Sequence, residues 1–353
     1  MATAVDGTLR NWADIQDQGW SALLLGNGFS INIATAFAYE SLFTEATSDD
    51  FEGGLTAEDR EIFNAFETTN FEAVLGNLRD AMTLADVLKL DARPYRTRYL
   101  SVQSALGAAV RRVHLTRDEI RDESLERIRD SLEKYDQIFT TSYDLLLYWT
   151  MAFGDDFAPF CDCFWSGGST RFDLDDCEVF TDWIPVYYLH GALHLLVEGD
   201  GTTKKLTKDE KALLDQFGEP VSDDPDARPL IISEASAREK LAAIEGNDYL
   251  SHAYDTLKQS DGSIVVFGNS LSDQDQHLID AINEGPERKV AVSMTPKKES
   301  VLREMQASIM NRLRTEKVEF FDSTTHPLGV PENAAKSRRE ALEASFDVRS
   351  LGT

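Results

Sequence analysis

Short apolar runs alternate along the chain with longer stretches in which apolar residues recur every three or four positions. That alternation predicts an α/β fold built on a parallel sheet. The first run, 22–25, is Ala-Leu-Leu-Leu, and the glycine-bearing turn Gly26-Asn27-Gly28-Phe29-Ser30 follows it. Residues 31–43 read as a helix that packs through Phe37, Tyr39 and Leu42, with Ser30 or Asn32 placed to cap it. Residues 44–54 are acidic and glycine-bearing and read as a loop. Thr56-Ala57-Glu58-Asp59 opens a helical stretch that continues to about residue 134. Within it, Phe71, Val74, Leu75 and Leu78 fall on one helix face. Pro94 starts a helix carrying Tyr99, Leu106 and Val110, and Ile120, Leu125, Ile128 and Leu132 mark another.

Strand-like runs then return at 137–139, 186–189, 230–232, 263–267, 289–293 and 318–321, with aromatic segments at 157–165 and 179–183 that read as strands around a loop. Helices are predicted at 208–216, 235–244, 249–259, 275–283 and 300–314. The expected organisation is a polar lead-in over 1–20 and an α/β domain over 21–330. A helical insertion at about 44–134 and a smaller one at about 195–260 interrupt that domain, and a charged tail spans 331–353. Four strand ends carry small or polar residues: Gly26 to Ser30, Thr140-Thr141-Ser142-Tyr143-Asp144, His190-Gly191 and Gly268-Asn269-Ser270. A parallel sheet brings such ends to one edge, where ligands bind.

Composition narrows the function classes. The chain has 353 residues, 42% hydrophobic and 27% charged, with a formal net charge of -27. That is enough chain for a full core, and a surface of that sign repels nucleic acid and anionic membrane. No apolar run reaches the length of a spanning helix, and residues 1–10 have no signal core. A soluble cytoplasmic protein is expected. Three cysteines, Cys161, Cys163 and Cys177, are too few and wrongly spaced for a four-cysteine zinc site. His190 or His194 is a conceivable fourth ligand, and buried free thiols are the expected state. No metal is expected. No GxxxxGK[ST] loop is present, which argues against ATP hydrolysis.

Each candidate residue has a structural and a chemical reading. His190 is either a strand-end histidine bonded to backbone or a neutral base. Asp144 either caps the following helix or bonds ribose hydroxyls. Ser142, His190 and Asp144 could form a nucleophilic triad, but no GxSxG elbow accompanies them. Asp273, Asp275 and His277 either edge a ligand site or merely cap a helix. Asn70-Phe71-Glu72 either lines a pocket or packs in the core.

In order and type, these segments resemble the sirtuin-like family, and more closely its bacterial anti-phage-defence branch. Gly26-Asn27-Gly28-Phe29-Ser30 resembles the GAGxS-type turn, Thr140-Thr141-Ser142-Tyr143-Asp144 the TTNYD motif, Leu189-His190-Gly191 the His-Gly motif, and Phe267-Gly268-Asn269-Ser270 the late glycine–serine turn. The resemblance implies a Rossmann-like parallel sheet with NAD as substrate. It implies NAD contacts from Gly26, Asn27, Gly28, Phe29, Ser30, Asn32, Thr141, Tyr143, Gly268, Ser270 and Asp275. Catalysis would fall to His190, Ser142 and Asp144. It further implies NAD glycohydrolase activity in a homo-oligomer, with a HerA-type ATPase or another defence-system partner. Two departures stand out: Ser142 occupies the position of the family's catalytic Asn, and the paired CxxC zinc module of the protein deacylases is absent. The alternative is a catalytically weak NAD- or ADP-ribose-binding subunit.

Overall fold

The computed structural model describes residues 5–48, 51, 53–154, 157–164, 170–178, 181–206, 228–232, 236–315 and 317–329. The strands are β1 (Ala22–Leu25), β2 (Gln137–Thr140), β3 (Phe160–Cys161), β4 (Ile184–Tyr188), β5 (Gly191–Val197), β6 (Thr203–Lys205), β7 (Arg228–Ile231), β8 (Ile264–Phe267), β9 (Val290–Met294) and β10 (Val318–Asp322). Seven form a sheet of order β10-β9-β8-β1-β2-β4-β3, with parallel pairing throughout. All four residues of β1 are buried, as befits a strand covered on both faces. From β1 the chain moves outward through β2 and β4, then returns and moves the other way through β8, β9 and β10. This is the doubly wound, Rossmann-like order, and its reversal lies between β1 and β8.

The first helices are α1 (Asn27–Ile33), α2 (Tyr39–Ala46), α3 (Ala57–Ala65), α4 (Phe71–Leu88), α5 (Arg93–Val113) and α6 (Asp122–Leu132). The starts of α3 and α4 follow from local chemistry. Thr56 and Asp59 form a reciprocal capping box on α3, and the Asn70 side chain accepts from the Ala73 amide at the start of α4. Residues α3 to α6 form the helical insertion. Phe71, Val74, Leu75, Leu78, Val102, Leu106, Leu125 and Ile128 are all buried, within the same contiguous core as the sheet. Beyond β2 lie α7 (Leu146–Met151), α8 (Ala237–Glu245), α9 (Asp248–Gln259), α10 (Gln276–Glu284) and α11 (Glu299–Met310). Strands β5, β6 and β7 form a separate antiparallel sheet of order β6-β5-β7, placed with α8 and α9 between β4 and β8. Among the described residues no helix is long and apolar enough to cross a membrane.

Several sequence expectations are corrected. Residues 31–43 are not one helix. The helix begins upstream at Asn27 with Gly26 as its N-cap, so neither Ser30 nor Asn32 caps it. It stops at Ala34, whose backbone is extended, before a 3-10 turn at Thr35–Phe37. That break lets the Phe37 carbonyl accept from Asn27 Nδ2. The expected loop over 44–54 begins later, because α2 runs to Ala46. Among the described residues of the aromatic segment 157–165, Phe160–Cys161 alone is a strand, and residues 181–183 form turn and bend rather than strand. The predicted helix at 208–216 and the tail at 331–353 lie outside the described residues.

Cys163 and Cys177 are not free thiols: they form a disulfide, with Cα atoms 4.5 Å apart. The intervening segment folds back, with the Phe172 amide donating to Thr203 O and the Asp173 amide to Cys163 O. Cys161 is the buried free cysteine.

Candidate functional site

A cavity of about 300 Å³ opens at the carboxyl edge of the parallel sheet, at the point where strand order reverses. All four polar strand ends contribute to its wall. Asn27 and Gly28 come from the β1 turn, and Thr141, Ser142, Tyr143 and Asp144 from the β2 end. His190 follows β4, and Gly268, Asn269 and Ser270 follow β8. Asp275 adds a carboxylate beyond the β8 turn. The helical insertion supplies Glu72 and Val110, and α8 supplies Lys240.

Four of the expected cofactor contacts are not part of this wall. Phe29 is fully buried in the core. Ser30 is also fully buried, and its hydroxyl donates to Asp144 Oδ2 at 2.5 Å. Neither Gly26 nor Asn32 lines the cavity. The glycines of the first turn have a packing reason. A Cβ on Gly26 would lie 2.5 Å from Gly268 O, and one on Gly28 would lie 2.7 Å from both Gly268 Cα and Gly268 O. The reverse holds too: Gly268 has φ +72°, and a Cβ there would lie 2.5 Å from the Phe29 nitrogen. The β1 and β8 turns therefore cross in direct backbone contact. The Gly28 amide donates to Gly268 O and the Phe29 amide to Gly26 O. Two donors that could have met an anion are used inside the fold.

Leu145, not Asp144, is the N-cap of α7; Asp144 stands one position earlier and reaches the helix start with its carboxylate. Its Oδ1 accepts from the Leu146 amide at 2.9 Å while Oδ2 receives Ser30. The next amide, Leu145, donates to His114 Nε2, whose other nitrogen donates to Leu115 O. His114 is thus held as one neutral tautomer, and burial keeps its pKa below the usual value. Ser142 differs from these residues. Its amide donates to Thr140 Oγ1, but its hydroxyl is buried on the cavity wall without a hydrogen-bond partner among the described residues. A buried hydroxyl left unpaired is costly, and a ligand or water in the cavity would satisfy it.

His190 and Ser142 are not hydrogen-bonded to each other as a nucleophilic triad requires. Its Nε2 lies 2.8 Å from His277 Nε2, so one imidazole donates and the other accepts. Burial, reinforced by the nearby Lys240 charge and by His277, pushes the His190 pKa well below the usual range. Burial lowers His277 to about 4, with Lys240 acting in the same direction and Asp275 against it. Both rings are neutral near pH 7. Lys240 sits 3.0 Å from Asp275 Oδ1 and 3.3 Å from Glu72 Oε2. Burial disfavours its charge, but the two carboxylates outweigh that and raise its pKa. Asn269 Nδ2 donates to the other Asp275 oxygen at 3.3 Å, and Asn269 Oδ1 accepts from the Leu271 amide.

Among the described residues, two groups bring metal-type donors together. His190, Asp275 and His277 offer ligand atoms within 4.8 Å of one another, as do Cys163, Cys177 and His252. In the first the imidazoles bond each other, and Asp275 is engaged by Lys240 and Asn269. In the second the sulfurs are joined to each other. Lys240 and Asn269 were missed as site residues. A lysine on a polar helix face reads as solvated, and nothing in the sequence places α8 over the β8 turn. Asn269 lies inside a quoted motif but was overshadowed by its glycine and serine neighbours.

No curated protein matches the chain. A family model described as a domain of unknown function, DUF4917, matches residues 23–328. That span begins in β1, ends beyond β10 and takes in every element that borders the cavity, so the chain belongs to the DUF4917 family.

Proposed function

We propose that the chain is an NAD glycohydrolase, acting at the cavity on the carboxyl edge of the sheet. The observation that carries this reading is the meeting of all four polar strand ends at one cavity, with the Ser142 hydroxyl buried there and without a hydrogen-bond partner among the described residues. In the proposed reaction the bond between nicotinamide nitrogen and ribose C1′ breaks. Its electron pair stays on the nitrogen and neutral nicotinamide leaves. Water adds to C1′ and its proton passes to solvent, giving ADP-ribose. The transition state resembles an oxocarbenium ion, and nearby negative charge and oriented dipoles favour it. Ser142 Oγ would hold the attacking water. His190, kept neutral, is competent to accept a hydrogen bond from that water or from a ribose hydroxyl. Asp144 would act indirectly, by fixing the β2 end through Ser30 and Leu146.

A second reading is favoured by one observation: His190 Nε2 is already bonded to His277, and its pKa is driven well below that of a good base. On this reading the chain binds NAD or ADP-ribose without turnover and regulates a partner. Through the resemblance to defence proteins, either reading extends to a bacterial defence system, with a homo-oligomer or a HerA-type ATPase as the working assembly.

The test is nicotinamide release from NAD by the purified full chain, followed by chromatography. His190→Ala and Ser142→Ala should each abolish or strongly reduce release, and Ser142→Asn should raise it. Binding of NAD or ADP-ribose with no release, alone or with a neighbouring gene product, would replace the enzyme reading with the second.

A further inference from the structure

The charges around the cavity point to a more specific ligand. The carboxylates of Glu72, Asp144 and Asp275 line it, against a single cationic side chain among the described residues, Lys240. Lys240 is held between Glu72 and Asp275, so its charge is spent within the wall. His190 contributes no charge, since its ring is buried and paired with His277. The wall is therefore negative, on a chain that is itself at -27. The backbone donors that could answer a diphosphate are partly used, by Gly268 O on the Gly28 amide and by Gly26 O on the Phe29 amide. The volume of about 300 Å³ lies at the small end for ligand sites.

From this juxtaposition we propose that the cavity selects a cationic pyridinium riboside, nicotinamide riboside being the simplest, over phosphate-bearing dinucleotides. The inference rests on the glycohydrolase reading and sharpens its substrate class. The wall carboxylates attract the pyridinium charge. The Ser142 hydroxyl receives its missing partner from the ribose or from the attacking water. The diphosphate of NAD, by contrast, meets a wall of its own sign and an acidic surface around it. A cleft lined by one sign of charge raises the local concentration of the opposite sign, an effect that salt weakens.

The experiment measures binding and nicotinamide release for nicotinamide riboside, NAD and ADP-ribose, on the full chain at low and high ionic strength. The expected result is kcat/KM for the riboside about tenfold or more above that for NAD at low salt, a gap that closes as salt rises. Where the chain binds without turnover, the same order is expected in affinity, riboside above ADP-ribose. Glu72→Gln should narrow the ratio by removing one wall charge, provided its melting temperature shows that it folds. Asp275→Asn repeats the test at a second wall carboxylate. NAD cleaved in preference to the riboside at low salt overturns the inference and leaves the glycohydrolase reading standing, whereas NAD or ADP-ribose bound in preference without release overturns both. A chain that neither binds nor cleaves any of the three overturns both. A riboside preference that salt does not alter also overturns it, because the selection would not be electrostatic.

Discussion

Gly28→Ala tests what the first turn is for. Glycines after a first Rossmann strand are commonly read as room for a phosphate, whereas here their space is taken by another turn. The new methyl would lie 2.7 Å from Gly268 Cα and 2.7 Å from Gly268 O. Both are backbone atoms, so no side chain can swing away. Overpacking of this kind costs about 1–3 kcal/mol. The turns must separate to relieve it, which stretches the 2.8 Å hydrogen bond from the Gly28 amide to Gly268 O and forfeits about 1 kcal/mol more. A loss of about 2–4 kcal/mol corresponds, for a large domain, to a fall in Tm of roughly 4–8 °C. Scanning fluorimetry without ligand, checked by urea titration, reads it directly. Gly268→Ala should fall at least as far, since its φ of +72° disfavours any side chain. A Gly28→Ala protein that melts within about 1 °C of the parent but loses ligand binding would refute the packing argument.

Three further outcomes are expected. Lys240→Met leaves the Glu72 and Asp275 carboxylates facing each other without their cation; it should cost about 3–5 kcal/mol in urea titration, and adding Glu72→Gln and Asp275→Asn should recover most of it. No recovery would mean that the network is not the source of the loss. Burial lowers the pKa of His194 and His326 to about 3 and of His277 to about 4. The unfolded chain therefore binds more protons than the folded one below pH 6.5. Stability is full above that pH and falls as pH drops toward the folded values, by about 2 kcal/mol per histidine at pH 5; an equal urea midpoint at pH 7 and pH 5 would contradict this. Reducing the Cys163–Cys177 bridge, which closes a loop of sequence separation 14, should lower stability by about 3 kcal/mol, and a Tm indifferent to reductant would exclude that contribution.

The parallel sheet was legible because its strands are apolar on both faces and end in small polar residues. β1, β2, β8, β9 and β10 all lie within a residue or two of their predicted positions. The edge of the sheet that gathers the site was legible for the same reason. Pair-specific features were not legible. Nothing about Lys240 in the sequence says that it meets Glu72, 168 positions away, and His277 gives no sign that it will bond His190. The glycines of the first turn were identified correctly as positions that exclude a side chain, but what fills the space comes from residue 268, beyond the reach of local pattern. Counting cysteines failed because an odd total does not forbid one bridge: Cys161 is the spare.

The central position of β1 has a consequence for synthesis on the ribosome. Its neighbours in the sheet are β2 and β8, and Ser21, just before β1, bonds Ser263, just before β8, across 242 residues of chain. At translation rates of about 5–20 residues per second, β8 emerges roughly 12–50 s after β1. For that interval Leu23, Leu24 and Leu25 have one open flank and an unfinished covering layer. The turn contact between Gly28 and Gly268, two residues of the cavity wall, cannot form until about three-quarters of the chain has been made. Nascent chains stalled before residue 264 should accordingly be captured by chaperones that recognise apolar strands, while those stalled beyond β10 should not.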